Sequence, residues 1–149
     1  MSAFDDDGST VDPQEFAQLV KKTSNDELKQ VMQSERRGVI LGQIFDRMPG
    51  LFRPEKAGPL NAVIHWNIGD RPDGGSDTYE VVIADGKCEL SPSPTHEPKV
   101  ALNLGAVDFL KVVSGNANPV MMFMTGKLKA KGDLGLAANI SNYFDIPKA

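Results

Sequence analysis

The amino-acid sequence predicts one α+β domain, because its hydrophobic pattern is helical towards both ends and strand-like in the middle. Between Arg37 and Met48, apolar residues recur every three or four positions, which is typical of a helix with one buried face. After Pro59 the apolar residues occupy every second position, which is typical of strands with one buried face. A chain of 149 residues is long enough for one such domain with a single core.

Three helices are predicted before the sheet. Residues 12–15 combine an N-cap aspartate, a proline and a glutamate, and therefore begin a short helix that ends near Lys22. Residues 24–27 repeat this capping signature and begin a second helix, which is expected to be interrupted or bent before the third. The third helix, over residues 37–48, should end at Pro49-Gly50 because proline and glycine commonly terminate helices.

Alternating apolar residues then predict a three-stranded antiparallel meander. Residues 60–68 form the first strand, and the turn-forming residues 69–75 form a long loop. A second alternating set at 79–83 marks the second strand. Residues 85–86, Asp-Gly, are typical of a tight hairpin turn, so residues 87–91 should form the third strand.

The next part of the chain returns to a mixture of strand and helix. Residues 91–98 contain too many prolines for either regular structure, and they lead to a fourth strand over residues 100–104. A helix over residues 106–114 follows, with a glycine where a helix commonly ends. The pair Asn118-Pro119 begins another short helix, which should reach Thr125.

The predicted fifth strand, over residues 127–131, carries Lys127, Lys129 and Lys131 on one face, and Asp133 begins the last helix. The row of lysines has two interpretations. It is either a solvated edge strand protected against pairing with another sheet, or a contact for an anion or a lipid headgroup.

The composition limits the classes of function. The formal net charge of -4 argues against general binding to nucleic acid or anionic membranes, because such binding depends on clustered cations. A local strip of basic residues is still compatible with this negative net charge. The single cysteine allows no internal disulfide, and no apolar run reaches the ~18 residues of a membrane span. Because the start lacks the pattern of a secretion signal, we expect a cytoplasmic location.

No residue pattern indicates catalysis or a metal centre. His65 and His96 are the two histidines of the chain, and they lack the short spacing to other ligands that metal sites usually show. His65 is interpreted as a strand residue that faces solvent or makes a partly buried hydrogen bond, and His96 as a loop residue. Cys88 is interpreted as a small core residue rather than a nucleophile.

Methionines are concentrated in the short predicted helix that begins at Asn118, at positions Met121, Met122 and Met124. Methionine is unbranched and polarizable, so such a helix suits a surface that accepts apolar ligands of several shapes. The same residues also fit ordinary core packing. Their spacing alone does not decide between these two interpretations.

The second half of the chain contains an ordered series of motifs: Gly115-Asn116-Ala117-Asn118-Pro119, Phe123, Gly126-Lys127-Leu128-Lys129, Gly132 and Gly135-Leu136-Ala137. Earlier features agree in order, namely the strand residues 64–68, the turn at 85–86 and the segment 100–104 followed by 108–110. Together they resemble the signature of the sterol carrier protein type 2 family. The resemblance extends from about Val39 to Phe144 and leaves the first two helices outside.

This resemblance implies a five-stranded mixed sheet of order 3-2-1-4-5, with helices packed on one face and an apolar tunnel between sheet and helices. Family members are not enzymes by themselves, and they bind and move fatty acids, fatty acyl-CoAs, sterols or other lipids. We therefore expect non-catalytic lipid binding and transfer, without a cofactor or a metal. The residues expected to bind lipid are Ile44, Trp66, Ile68, Leu102, Phe109, Val113, Val120, Met121, Met124, Leu136, Ile140 and Phe144, and those expected to contact a headgroup or CoA are Lys127, Lys129 and Lys131.

Two alternatives stay open. The domain could be a structural or interaction module, since similar folds occur appended to acetyltransferases and sulfatases, or an accessory carrier that presents an acyl-CoA to a partner enzyme. Residues 1–24 are expected to form a tail and a short helix, and residues 25–149 the lipid-binding domain. The expected partners are an apolar lipid, at most a transient membrane contact, and a second copy of the chain or a partner enzyme, but no nucleic acid.

Overall fold

Seven α-helices and five strands occur in the part of the chain that the computed structural model describes, which is residues 13–91, 94 and 96–145. The helices are α1 (Pro13–Lys22), α2 (Asn25–Met32), α3 (Arg36–Leu51), α4 (Pro54–Ala57), α5 (Ala106–Val113), α6 (Pro119–Met124) and α7 (Leu134–Asn139). The strands are β1 (Ala62–Ile68), β2 (Asp77–Ala84), β3 (Lys87–Ser91), β4 (Val100–Leu104) and β5 (Leu128–Gly132).

The five strands form one mixed sheet in the order β3-β2-β1-β4-β5, which confirms the order that the family resemblance implied. β1 pairs antiparallel with β2 and parallel with β4, whereas β3 and β5 are antiparallel edge strands. The register places Trp66 of β1 beside Tyr79 of β2 and Leu102 of β4. Paired residues share a face of the sheet, so the apolar positions of neighbouring strands coincide.

One face of the sheet is covered by helices, and the apolar strand residues lie on it. In β1, the buried residues Ala62, Ile64, Trp66 and Ile68 alternate with half-buried ones. They form a single core with apolar residues of the surrounding helices. We call the opposite face of the sheet the outer face. A shift of one residue in the register of β1 would turn its buried apolar residues to this outer face. Burial of one face therefore fixes the register.

The N-terminal helices pack on this core. Helix α1 lies against α5, and its residues Ala17 and Val20 are buried. The side-chain amide of Asn116 donates a hydrogen bond to the carbonyl of Ala17 at 3.0 Å. Ser24 caps α2 as predicted, since its hydroxyl accepts a hydrogen bond from the amide of Glu27. The other predicted cap, Asp12, and the predicted tail lie outside the described residues.

One local prediction near the end of α3 was wrong, and one short helix after it was missed. The helix does not end at Pro49 and Gly50 but continues through them to Leu51. Pro49 has no N–H to donate to the carbonyl four residues earlier, and the helix extends only two residues beyond it, where the amide of Phe52 donates to the carbonyl of Pro49 at 3.3 Å. The four-residue helix α4 was not predicted, because it is too short to show a hydrophobic period, although Pro54 marks its first turn.

The last predicted helix is divided. Helix α7 is followed by a 3-10 turn over Ile140–Tyr143, and Phe144 then forms an isolated antiparallel bridge with Phe52. Two backbone hydrogen bonds of 2.7 Å flank this bridge, from the amide of Arg53 to the carbonyl of Tyr143 and from the amide of Asp145 to the carbonyl of Leu51. We call the paired residues 51–53 and 143–145 the C-terminal clip. It fastens the end of the described chain to the end of α3.

Arg37 is a buried cation that joins helices to one end of the sheet, with a side chain that is 6% exposed. Its Nη2 donates to the carbonyl of Ile68 at 2.6 Å, and its Nε donates to Asp77 Oδ2 at 2.8 Å. Its Nη1 donates to the carbonyl of Met32 at 3.3 Å. These three acceptors belong to β1, β2 and α2, so one side chain on α3 connects four elements.

Replacing Arg37 with methionine (R37M) is expected to lower the free energy of unfolding by about 3 kcal/mol, because buried acceptors lose their charged donor. Urea denaturation followed by circular dichroism measures this loss. Arg71→Met is the matched control, since the half-exposed Arg71 lies 3.5 Å from the same carboxylate of Asp77. The control should lose less than about 1 kcal/mol. Equal losses in the two variants would contradict the role assigned to Arg37.

Candidate functional site

A row of four aromatic rings runs through the space between the sheet and the helices. Phe45 of α3 stacks on Tyr79 of β2 with ring centroids 4.1 Å apart, and on Phe109 of α5 at 5.4 Å. Phe109 meets Trp66 of β1 edge-on, also at 5.4 Å. The row therefore brings together Trp66 and Phe109, two of the residues predicted to bind lipid, within the buried core.

Trp66 carries a polar atom into this apolar region. The residue is 4% exposed, and its Nε1 has no hydrogen-bond partner among the residues that the structure describes. A buried N–H group without an acceptor costs about 1–3 kcal/mol. An oxygen atom of a molecule bound beside the indole would accept this hydrogen bond and remove the cost.

The residues predicted to bind lipid fall into three groups by exposure. Seven are buried: Trp66, Ile68, Leu102, Phe109, Leu136, Ile140 and Phe144. Ile44 and Val113 are half-buried and pack against the same core. Val120, Met121 and Met124 are exposed, and Met124 is 73% accessible. The first nine therefore belong to one interior, whereas the three residues of α6 face outward.

Helix α6 turns a different methionine inward. Its cap is Asn118, as predicted, and the Oδ1 atom of Asn118 accepts a hydrogen bond from the amide of Val120 at 2.8 Å. Met122 is buried in the core, although it was not predicted to bind lipid. No signal in the sequence could have identified it, because a six-residue helix that is apolar all round does not show which side faces the core.

The three predicted headgroup residues lie at the edge of the sheet next to α6. Leu128 of β5 is buried in the core, so the alternate residues Lys129 and Lys131 lie on the outer face. Lys127 precedes the strand, and its amide donates to the carbonyl of Met122 at 2.9 Å. All three lysines are exposed.

A buried carboxylate, Glu80 of β2, lies on the outer face and binds both histidines. His65 Nε2 lies 3.0 Å from Glu80 Oε1, and His96 Nδ1 lies 2.9 Å from Glu80 Oε2. The backbone amide of His96 also donates to Oε1 at 2.8 Å. Of the two interpretations of His65, the partly buried hydrogen bond is thus confirmed. Glu80 therefore fastens His96, in the segment between β3 and β4, to strand β2.

Hydrogen bonds decide the ionisation of Glu80. Burial by itself raises the pKa of this carboxyl group, but the hydrogen bonds from His96, His65 and Ser91 outweigh burial and hold the pKa well below its ordinary value of 4.5. The group is therefore ionised at neutral pH. It acts as a structural acceptor and not as a proton donor.

Cys88 is a core residue, as interpreted from the sequence, and is 7% exposed. Burial, with a further contribution from Glu89, raises the pKa of its thiol to about 12. The thiol is therefore protonated at neutral pH, which makes it a poor nucleophile.

Within residues 13–91, 94 and 96–145, no group of three His, Cys, Asp or Glu side chains is arranged to hold a metal ion. No helix in these ranges has both the length and the apolar character needed to cross a membrane.

The family model of the SCP-2 sterol transfer family matches residues 42–145. The chain therefore belongs to the SCP-2 sterol transfer family, as the motifs implied. Human sterol carrier protein 2 is 29% identical over 83 residues, which are 56% of this chain and 15% of the human protein. This chain thus spans only a small part of the length of that relative.

Two solved structures have a similar fold. Apo sterol carrier protein 2 from Yarrowia lipolytica has a TM-score of 0.55 and 28% identity, over 70% of this chain and 86% of that one. Palmitated SCP2L2 from Aedes aegypti has a TM-score of 0.54 and 20% identity, over 74% of this chain and 95% of that one. The likeness confirms the SCP2-like α+β fold.

Replacing Glu80 with glutamine (E80Q) is expected to lower the free energy of unfolding by about 2 kcal/mol at neutral pH, because a charged acceptor of several hydrogen bonds is lost. The pKa of Glu80 is lower in the folded state than in the unfolded state. Its contribution is therefore complete above the unfolded pKa and declines as the pH falls below that value. The difference between wild type and E80Q should shrink from about pH 5 to about pH 3.

Urea denaturation at a series of pH values measures this difference. Glu89→Gln is the control, since Glu89 is an exposed carboxylate on the adjacent strand β3 and should change stability little. A difference between wild type and E80Q that is equal at both ends of the pH range would show that the pKa of Glu80 is not depressed.

Proposed function

We propose that the protein is a non-catalytic carrier that binds an apolar lipid in the interior between sheet and helices and transfers it. The ligand classes are fatty acids, fatty acyl-CoAs and sterols. Membership of a sterol transfer family supports lipid binding in general. The apolar residues that the sheet and helices contribute to one interior support this location for the ligand.

The observation that carries the proposal is the unpartnered Nε1 of the buried Trp66. More than about 90% of buried polar groups in proteins have a hydrogen-bond partner, so a buried donor in a ligand-binding family calls for an acceptor. Fatty acids, acyl-CoAs and sterols each contain an oxygen atom that accepts hydrogen bonds. In our proposal this oxygen lies beside Trp66, and the hydrocarbon part lies along the apolar side chains near Phe109 and Leu102.

The expected affinity follows from the length of the hydrocarbon. Palmitate is a suitable probe, since a relative of the same fold has been solved in palmitated form. Burying its chain contributes about 12 kcal/mol at about 0.8 kcal/mol per methylene. Binding costs at least about 4 kcal/mol in lost freedom of movement. At most ~8 kcal/mol therefore remains, which corresponds to a dissociation constant of about 1 μM or higher.

Replacing Trp66 with phenylalanine (W66F) should weaken palmitate binding about fivefold, because the indole donor is lost while an aromatic ring is kept. Displacement of a fluorescent fatty acid measures binding in both proteins. Because Trp66 is the single tryptophan of the chain, its emission should also change saturably when wild type binds palmitate. Tyr143→Phe is the control, since it removes a polar group from an aromatic ring in the C-terminal clip and should leave binding unchanged. Equal affinities of wild type and W66F would show that the ligand oxygen lies elsewhere.

Lipid that co-purifies with the protein tests the function itself. Mass spectrometry of an organic extract should show a fatty acid, acyl-CoA or sterol in an amount comparable with the protein. A protein that yields no lipid and fails to bind palmitate would contradict the carrier function. That result would favour a structural or interaction module instead.

A further inference from the structure

Helix α6 presents an apolar face to solvent. Val120, Met121, Phe123 and Met124 are between 41% and 73% exposed. They stand at positions i, i+1, i+3 and i+4, which places them together on one side of the helix. The opposite side is anchored, because Pro119 and Met122 are buried. We call the four exposed residues the α6 patch.

Cations follow the α6 patch directly in the chain. Lys127, Lys129 and Lys131 are exposed on or next to the edge strand β5, which α6 contacts. From Asn118 to Gly132 the sequence has these three lysines and neither Asp nor Glu, whereas the whole chain has a net charge of -4. A protein that is acidic overall therefore has a local group of positive charge beside its exposed apolar helix.

We infer that the α6 patch and these lysines form a docking surface for anionic lipid bilayers. Apolar side chains on one face of a helix enter the boundary between headgroups and acyl chains, and nearby lysines attract anionic headgroups. Methionine and phenylalanine together with lysine provide both of these interactions. The acidic remainder of the molecule stays in water and opposes deeper binding, so the contact is reversible.

The same features disfavour a second copy of the chain as the partner. A symmetric dimer would place the same patch of both copies together and bring their lysines close to each other, where they repel. One face of a six-residue helix is also smaller than the ~800 Å² that each partner of a stable interface buries. A bilayer that contains anionic lipid offers acyl chains to the apolar side chains of α6 and negative headgroups to the lysines.

Vesicle co-sedimentation of the full chain tests the inference without any measurement of lipid uptake, so it is independent of the proposed carrier function. We expect binding to vesicles of phosphatidylcholine with about 30% phosphatidylglycerol, weaker binding to pure phosphatidylcholine, and loss of binding at high salt. The double variant Met121→Ser/Met124→Ser should reduce the partition coefficient at least about tenfold. The triple variant Lys127→Ala/Lys129→Ala/Lys131→Ala should reduce it roughly a hundredfold, or about fivefold for each lysine.

Two control variants test whether vesicle binding depends on this surface or on exposed lysines and apolar side chains anywhere on the protein. Lys21→Ala/Lys22→Ala/Lys29→Ala removes the same charge from exposed lysines of α1 and α2, and Val39→Ser removes an exposed apolar side chain from α3. Both controls should bind vesicles as wild type does. All variants should keep the thermal midpoint of wild type, because the changed side chains are exposed. The inference would be overturned if the lysine control lost as much binding as the triple variant, or if wild type did not bind anionic vesicles. It would also be overturned if wild type formed a dimer that Met121→Ser/Met124→Ser dissociates.

Discussion

Among the described residues, the helices pack on one face of the sheet, and this asymmetry constrains the rest of the structure. Every strand must present apolar side chains at alternate positions, and the register must bring these positions together across five strands. The central strand β1 satisfies the constraint on both sides, since Trp66 stands beside Tyr79 in an antiparallel pair and beside Leu102 in a parallel pair. The aromatic row depends on this register, because two of its four rings belong to adjacent strands.

Periodicity together with capping and turn residues predicted most of the elements. Strands β3 and β4 have the predicted limits, since an Asp-Gly turn and a proline-rich segment mark where alternation stops and starts. The strand order was not predictable in this way, because alternation shows which face is buried and not which strand is adjacent. It came from the family resemblance. The errors lie at Pro49 and in α4, where the last turn of a helix and a four-residue helix give too few residues for a pattern.

The interior of the candidate site was easier to predict than its periphery. Positions such as Leu102 and Ile140 belong to regular apolar patterns and are buried, whereas α6 is apolar on all sides and its orientation depends on tertiary packing. The cluster around Glu80 was missed for a related reason. Its partners His65 and His96 are 15 and 16 residues away in sequence, and only the pairing of β1 with β2 and the path of the segment after β3 bring them together.

The C-terminal clip is held by fewer hydrogen bonds than the strands that enclose the apolar interior. The strands are held by continuous ladders, but Phe144 is held by an isolated bridge, two flanking backbone hydrogen bonds and one tilted ring contact with Phe52 at 5.7 Å. Separating these residues breaks no hydrogen bond between strands of the sheet. The free energy of such a local opening is therefore only a fraction of that of global unfolding. The C-terminal clip can therefore open locally while the sheet keeps its shape.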